Sequence, residues 1–174
     1  INQYVVKKLR KMFGNNVTII IGGPSIDSDI NQQKIFLKKS FPEIDGIVIN
    51  EGEIAFSNAL EKILNDKQKA FFDPIDGLSF LKENEIISGK PIGTSTDISK
   101  LGSPYLSGLM DDFMHSDYQP LVQTSRFCPY TCAFCVSGKN RGKLRGFPIE
   151  QVREELHYVS KKYMDRPHHL MYLA

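Results

Sequence analysis

Three cysteines fall within eight residues, Cys128-Pro129-Tyr130-Thr131-Cys132-Ala133-Phe134-Cys135, and the 174-residue chain has no others. An odd, clustered set is a poor disulfide framework. It points instead to a reducing compartment, hence the cytoplasm, and to a metal site. Thiolates are soft ligands that suit iron–sulfur clusters or zinc. A cluster held entirely by protein takes four cysteines. Three leave one iron open to an outside ligand, much as a catalytic zinc keeps an open position. The same residues also allow a zinc-stabilised, non-catalytic binding module or three buried thiols. A fourth zinc ligand would have to come from His157, His168 or His169, none of them at finger-like spacing.

The rest of the chain supplies a frame for this cluster. Gln3 to Phe13 reads as a helix with Tyr4, Val5, Leu9, Met12 and Phe13 near one face. Val17 to Ile21 is a β-branched run too apolar for a half-exposed strand, so it reads as a strand covered on both faces in a parallel sheet. Gly22-Gly23-Pro24 ends it. Asp27 or Ser28 can cap a helix to about Ser40, with Ile30, Ile35, Phe36 and Leu37 as its apolar contacts. Gly46 to Ile49 is a second buried strand. Glu51-Gly52-Glu53 leads into a helix from about Ile54 to Asn65, striped by Phe56, Leu60, Ile63 and Leu64. This alternation of helix and strand predicts a doubly wound α/β sheet. Gly77–Lys82 and Glu85–Ser88 read as a hairpin turning at Glu83-Asn84.

Periodicity fades from Pro91 to about Tyr118, where Gly, Ser, Thr, Pro and Asp mark a linker. Tyr105, Leu106, Leu109, Met110 and Phe113 would tie it down. A second unit then begins. Leu121 to Thr124 is a strand, Arg126 to Gly146 a long loop holding every cysteine, and Pro148 to Met164 a helix with Ile149, Val152, Leu156 and Val159 inward. His168 to Leu173 is the next strand. The boundaries are 1–90 for the first domain, 91–118 for the linker and 119–174 for the start of the second. A loop after a first strand lies at the strands' C-terminal end, where active sites of barrels and α/β sheets gather.

At these residues the chain resembles the radical S-adenosylmethionine (SAM) superfamily, whose signature is C-x3-C-x-aromatic-C after a first strand. Thr124 to Cys135 matches it, with Phe127 where many relatives have Gly. The resemblance implies that Cys128, Cys132 and Cys135 hold a [4Fe–4S] cluster and that Phe134 lies beside the SAM adenine. It also implies that the open iron binds SAM, whose reductive cleavage gives a 5′-deoxyadenosyl radical, with flavodoxin or ferredoxin as electron donor.

Upstream, Ile19 to Ser25 and Asp45 to Glu53 resemble the cobalamin-binding domain that precedes many such cores, and Ser103 to Gly108 resembles its connector. The implied fold is the C-terminal part of a doubly wound, Rossmann-like cobalamin domain, followed by the first βαβ unit of a partial TIM barrel. By this resemblance Gly22, Gly23 and Pro24 border the nucleotide tail of cobalamin, with Glu51, Gly52 and Glu53 on a neighbouring loop. The implied chemistry is cobalamin-dependent methyl transfer or a radical rearrangement on a small-molecule or macromolecular substrate. The alternative within the class is a radical SAM enzyme whose first domain no longer binds cobalamin. The Asp-x-His-x-x-Gly motif that supplies a lower cobalt ligand is absent from this sequence.

Several function classes are disfavoured. Lys and Arg total 22 against 20 Asp and Glu, so no whole-chain charge favours nucleic acid or an anionic membrane. No apolar run approaches the ~20 residues of a membrane span. Lys139, Arg141, Lys143 and Arg145 form a basic run that reads as a solvated loop, and Gly138 to Lys143 lacks P-loop spacing. Glu154 and Glu155 lie in the helix after the cluster, with a loop-orienting role open to one of them. His168 and His169 point to opposite faces of their strand. The chain begins within a helical pattern and stops after an apolar run, so it reads as an internal, by itself inactive, piece of a longer protein.

Overall fold

A computed structural model of the chain describes residues 2–66, 70–92, 97–114, 118–128, 130, 132–134, 143–163 and 172–173. The chain divides into two units, Ile1–Ser95 and Thr96–Ala174.

The first unit is built on a four-stranded sheet of β1 (Ile20–Ile21), β2 (Gly46–Val48), β3 (Leu78–Lys82) and β4 (Glu85–Ser88), in that spatial order. β1 and β2 run parallel, with Ile20 beside Gly46 and Ile21 beside Ile47, and β3 and β4 continue the sheet antiparallel. The β3–β4 turn is Glu83-Asn84, with φ of 50° and 70°. Positive φ at both central residues gives the twist that a two-residue hairpin needs.

Side chains alternate across the strands, so the sheet is covered on both faces. On one face Val48, Leu78 and Phe80 pack with Ile75 and with Ala55 and Ala59 of α3 (Gly52–Asn65). On the other, Ile47 and Ile49 pack with Ile26 and with Leu37, just beyond α2 (Ile30–Ile35) in a π-helical turn over Phe36–Ser40. These are the two covering layers of the expected doubly wound α/β sheet.

Local departures have physical causes. α1 (Asn2–Phe13) buries Val6, while Tyr4, Val5, Met12 and Phe13 stay exposed. Its docking is set by Arg10, which donates to the carbonyls of Gly14, Val17 and Glu43 and to the Asp45 carboxylate. The expected strand from Val17 is only Ile20–Ile21, because side chains satisfy the backbone before it: Val17 O accepts from Arg10 and Ile19 N donates to Asp45. The cap of α2 is Asp29, whose carboxylate accepts from the amides of Asn31 and Gln32 at 2.9 Å. In α3 the small Ala55 and Ala59 face the sheet, while Phe56, Leu60 and Leu64 are exposed.

In the second unit β5 (Leu121–Val122) and β8 (Tyr172–Leu173) pair in parallel, with α4 (Ile149–Tyr163) between them in sequence: a βαβ unit, as expected. Between β5 and α4 lies a short antiparallel pair, β6 (Ser125–Arg126) and β7 (Arg145–Gly146). Val122, Val159 and Tyr163 form the core with Tyr105 and Met114, so the 97–114 stretch contributes to this unit. Tyr105 Oη donates to Leu121 O at 2.9 Å and accepts from Leu121 N at 3.0 Å, doing for β5 what a neighbouring strand would. In α4 Val152, Val159 and the carboxylate-bearing Glu155 are buried while Ile149 is 62% exposed. No helix among the described residues is long and apolar enough to cross a membrane.

Candidate functional site

Two places carry the residues singled out by the sequence, one in each unit. In the first unit the loops after β1 and β2 leave the same end of adjacent parallel strands, where an open α/β sheet forms its ligand crevice. Gly22, Gly23 and Pro24 follow β1 and are exposed. Gly23 has φ 107°, a conformation open to glycine at no steric cost. After β2 the chain turns through Asn50 at φ 63°, which asparagine tolerates better than most residues. Glu51 is the N-cap of α3, followed by Gly52 and Glu53 in the first turn. The two loops meet over Val48. A Cβ at Gly22 would lie 3.4 Å from Val48 Cβ and 3.9 Å from its Cγ1, and a Cβ at Gly52 would lie 3.9 Å from the same Cγ1. Val48 is itself buried, and glycine at both positions keeps the loops above it low, where side chains at 22 or 52 would add bulk. This suits the backbone approach of a large ligand.

The loop on the β1 side is held from beneath. Ile26 N donates to Gly23 O at 3.2 Å, and Ile26 is itself buried. Gln33, 3% exposed, donates from Nε2 to Asp27 O at 2.8 Å and receives the Ser79 hydroxyl at 2.9 Å. Gln33 and Ser79 carry no sequence signal beyond a polar residue on a helix's inner face and one within an apolar strand.

In the second unit Cys128 and Cys132 are exposed free thiols. Cys135 lies outside the described residues, as do Lys139, Arg141, His168 and His169. Phe134 is 92% exposed, in the turn that follows Cys132. Among the described residues no three metal-ligating side chains converge. The two described thiols nevertheless suit an iron–sulfur cluster: they are presented outward, not paired in a disulfide and not buried in a hydrocarbon core.

What the structure adds is the neck of this loop. β6 and β7 close it with Arg126 opposite Arg145. Beyond the pair, the Arg145 guanidinium lies 5.1 Å from the Phe127 ring and Arg126 lies 5.6 Å from the Phe147 ring. Phe147 N also donates to Thr124 O at 3.0 Å. Phe127, directly before Cys128, has φ 68°. That left-handed conformation costs a non-glycine residue about 1–2 kcal/mol. The sequence signal was present, since this is where many radical SAM proteins carry glycine, but it reads there only as a departure in the loop.

Comparison with known proteins bears on both places. No family model matches the chain. The chain is 29% identical over 166 residues to the cobalamin-dependent radical SAM methyltransferase TokK of Streptomyces tokunonensis, covering 91% of this chain and 24% of that protein. It is 30% identical over 166 residues to the 2-(S-pantetheinyl)-carbapenam-3-carboxylate methyltransferase of Streptantibioticus cattleyicolor, with the same shares of the two chains, 91% and 24%. The cobalamin-dependent SAM radical enzyme OxsB, solved with aqua-cobalamin and SAM, superposes with a TM-score of 0.62 at 22% identity, over 98% of this chain and 23% of that one. The chain therefore spans about a quarter of the length of these relatives.

Proposed function

We propose that this chain, a relative of the B12-binding-domain-containing radical SAM proteins in sequence and in fold, is the part of such an enzyme that joins its cobalamin crevice to its cluster loop. The carrying observation is the occurrence, in one chain, of the Cys128–Cys132–Cys135 spacing on a loop opened by β5 and a glycine-lined crevice at the ends of β1 and β2.

Cys128, Cys132 and Cys135 hold the [4Fe–4S] cluster in this reading, and the crevice takes cobalamin. When bound, the cluster supplies an electron for cleaving SAM, and cobalamin carries a methyl group. The chain's own residues bind and orient. Gly22, Gly23 and Pro24 keep one wall low enough for backbone to touch the nucleotide tail. Glu51, Gly52 and Glu53 form the facing loop at the start of α3. Phe134, exposed beside Cys132, offers a flat apolar surface for the adenine. The β6–β7 neck fixes where the first thiol leaves the sheet. The reaction of the whole protein is methyl transfer or a radical rearrangement, in the cytoplasm, with flavodoxin or ferredoxin as reductant.

The test uses the full-length protein, reconstituted anaerobically with iron and sulfide, then reduced in the presence of SAM. The reading predicts 5′-deoxyadenosine from the native sequence and none from Cys132→Ala. Product formed equally by Cys132→Ala would defeat it. Equilibrium dialysis with aqua-cobalamin separates the version with cobalamin from the version without.

A further inference from the structure

We propose that the two arginine–phenylalanine pairs at the neck of the cysteine loop form a clasp that closes the loop before iron arrives. Phe127 and Arg145 are its positioning residues. This rests on the cluster reading above but goes beyond it, since neither residue is a ligand.

Four observations support the clasp. Arg126 and Arg145 are partners in the β6–β7 ladder, so their side chains leave one rung. Each guanidinium reaches diagonally to the phenylalanine beyond the other strand's arginine, Arg145 to Phe127 at 5.1 Å and Arg126 to Phe147 at 5.6 Å. Phe127 follows Arg126 on the cysteine side of that rung and Phe147 lies two residues past Arg145 on the other side, so the two contacts brace the rung from both sides. Phe147 N–H donates to Thr124 O at 3.0 Å, adding a backbone bond one step beyond the ladder. Finally, Phe127 holds φ 68°, an unfavourable conformation for any residue with a Cβ. Such an outlier persists only where its surroundings hold it. Here the ring under Arg145 holds it, and the same backbone turn aims the following residue, Cys128, out of the sheet.

A two-residue ladder has too few hydrogen bonds to be stable by itself. Without the clasp, the loop's ends would separate and three thiolates would have to be gathered from a longer, looser chain. That raises the entropy lost when the cluster forms. The clasp reduces this loss and slows the escape of iron once it is bound. A cation over an aromatic face is strong enough for that task while leaving the strands' hydrogen bonds unchanged.

The experiment compares full-length native protein with Phe127→Gly, Arg145→Met and Arg145→Lys. Glycine suits the positive φ, so Phe127→Gly should unfold at the native urea concentration or above, which separates the clasp from general stability. In the iron-free proteins, amide hydrogen exchange at Phe147 should be about fivefold faster in Phe127→Gly and Arg145→Met, and near native in Arg145→Lys. After reconstitution, iron should pass to a ferrous chelator about fivefold faster from the first two variants than from native protein or Arg145→Lys. Exchange at Phe147 within twofold of native in both Phe127→Gly and Arg145→Met would overturn the clasp. A native protein that takes up no iron and sulfide would overturn the cluster reading instead, and the exchange measurement would still decide the clasp.

Discussion

Arg10 meets Asp45 at 2.8 Å, and the carboxylate oxygen that receives its guanidinium also accepts the Ile19 amide at 2.7 Å. One ion pair therefore joins α1, the approach to β1 and the start of β2. Both side chains are largely covered, at 19% and 33% exposure. Arg10→Met would leave Asp45 with one partner fewer and the carbonyls of Val17 and Glu43 without their side-chain donor. We expect a loss of about 2–4 kcal/mol in urea unfolding of the first unit. Asp45→Asn, which can still accept from Ile19, should lose less.

Gly77 makes a second structural prediction. It has φ 80°, and a Cβ there would lie 2.5 Å from Ala55 Cβ. Gly77→Ala must both strain the backbone and push α3 from the sheet. A cost of about 2–4 kcal/mol is expected in urea unfolding. Ala55→Gly combined with Gly77→Ala should recover part of it by restoring the space.

The crevice is tested most directly from within. Gly22→Val places methyl groups over Val48, in the space that the ligand would use. Cobalamin affinity should fall at least about tenfold, the size of one lost close contact region, while cluster assembly stays native. Dialysis against aqua-cobalamin and an iron assay on the same sample check both halves.

The pH dependence follows from a side-chain triad in the second unit. Tyr158 Oη donates to Asp111 at 2.7 Å, and Lys162 Nζ lies 2.8 Å from the other carboxylate oxygen. The hydrogen bond to Asp111 is the largest cause raising both the Tyr158 and the Lys162 pKa above their ordinary values. Groups whose folded-state pKa is raised stabilise the fold fully below the unfolded-state pKa and lose that contribution as pH rises through the folded one. Stability of the second unit should therefore fall on the alkaline side, above about pH 10. In the first unit the sign is opposite: the hydrogen bond from Lys34 is the largest cause lowering the Glu85 pKa, so its contribution is lost as pH falls through the lowered value. Urea midpoints across the pH range, repeated with Lys162→Met and Lys34→Met, should show each variant flattening its own limb.

Much of this architecture is legible in the residues. β-branched runs ended by glycines announce the two parallel strands, and Glu83-Asn84 between alternating segments announces the hairpin. The facing of the helices is less so. In α3 the apolar stripe of Phe56, Leu60 and Leu64 suggests the inward side, yet Ala55 and Ala59 face the sheet, and at Ala55 the backbone of Gly77 comes too close for anything larger. That approach is a tertiary fact with no local signature. In α1 the same holds for Arg10, whose long polar side chain is tied to the sheet while Tyr4, Val5, Met12 and Phe13 stay exposed. At the candidate site, spacing singles out the cysteines, and the resemblance to the cobalamin-binding domain singles out the glycines. The residues that position them, Gln33 below one loop and Arg145 across the neck of the other, depend on partners 46 and 18 positions away along the chain, Ser79 and Phe127.

Metal analysis of the full-length protein tests the central claim most directly. Iron and acid-labile sulfide should be found in equal amounts, about four of each per chain, and both should disappear in Cys132→Ala. Zinc at one per chain without sulfide would contradict the account and make the cysteine loop a structural knuckle.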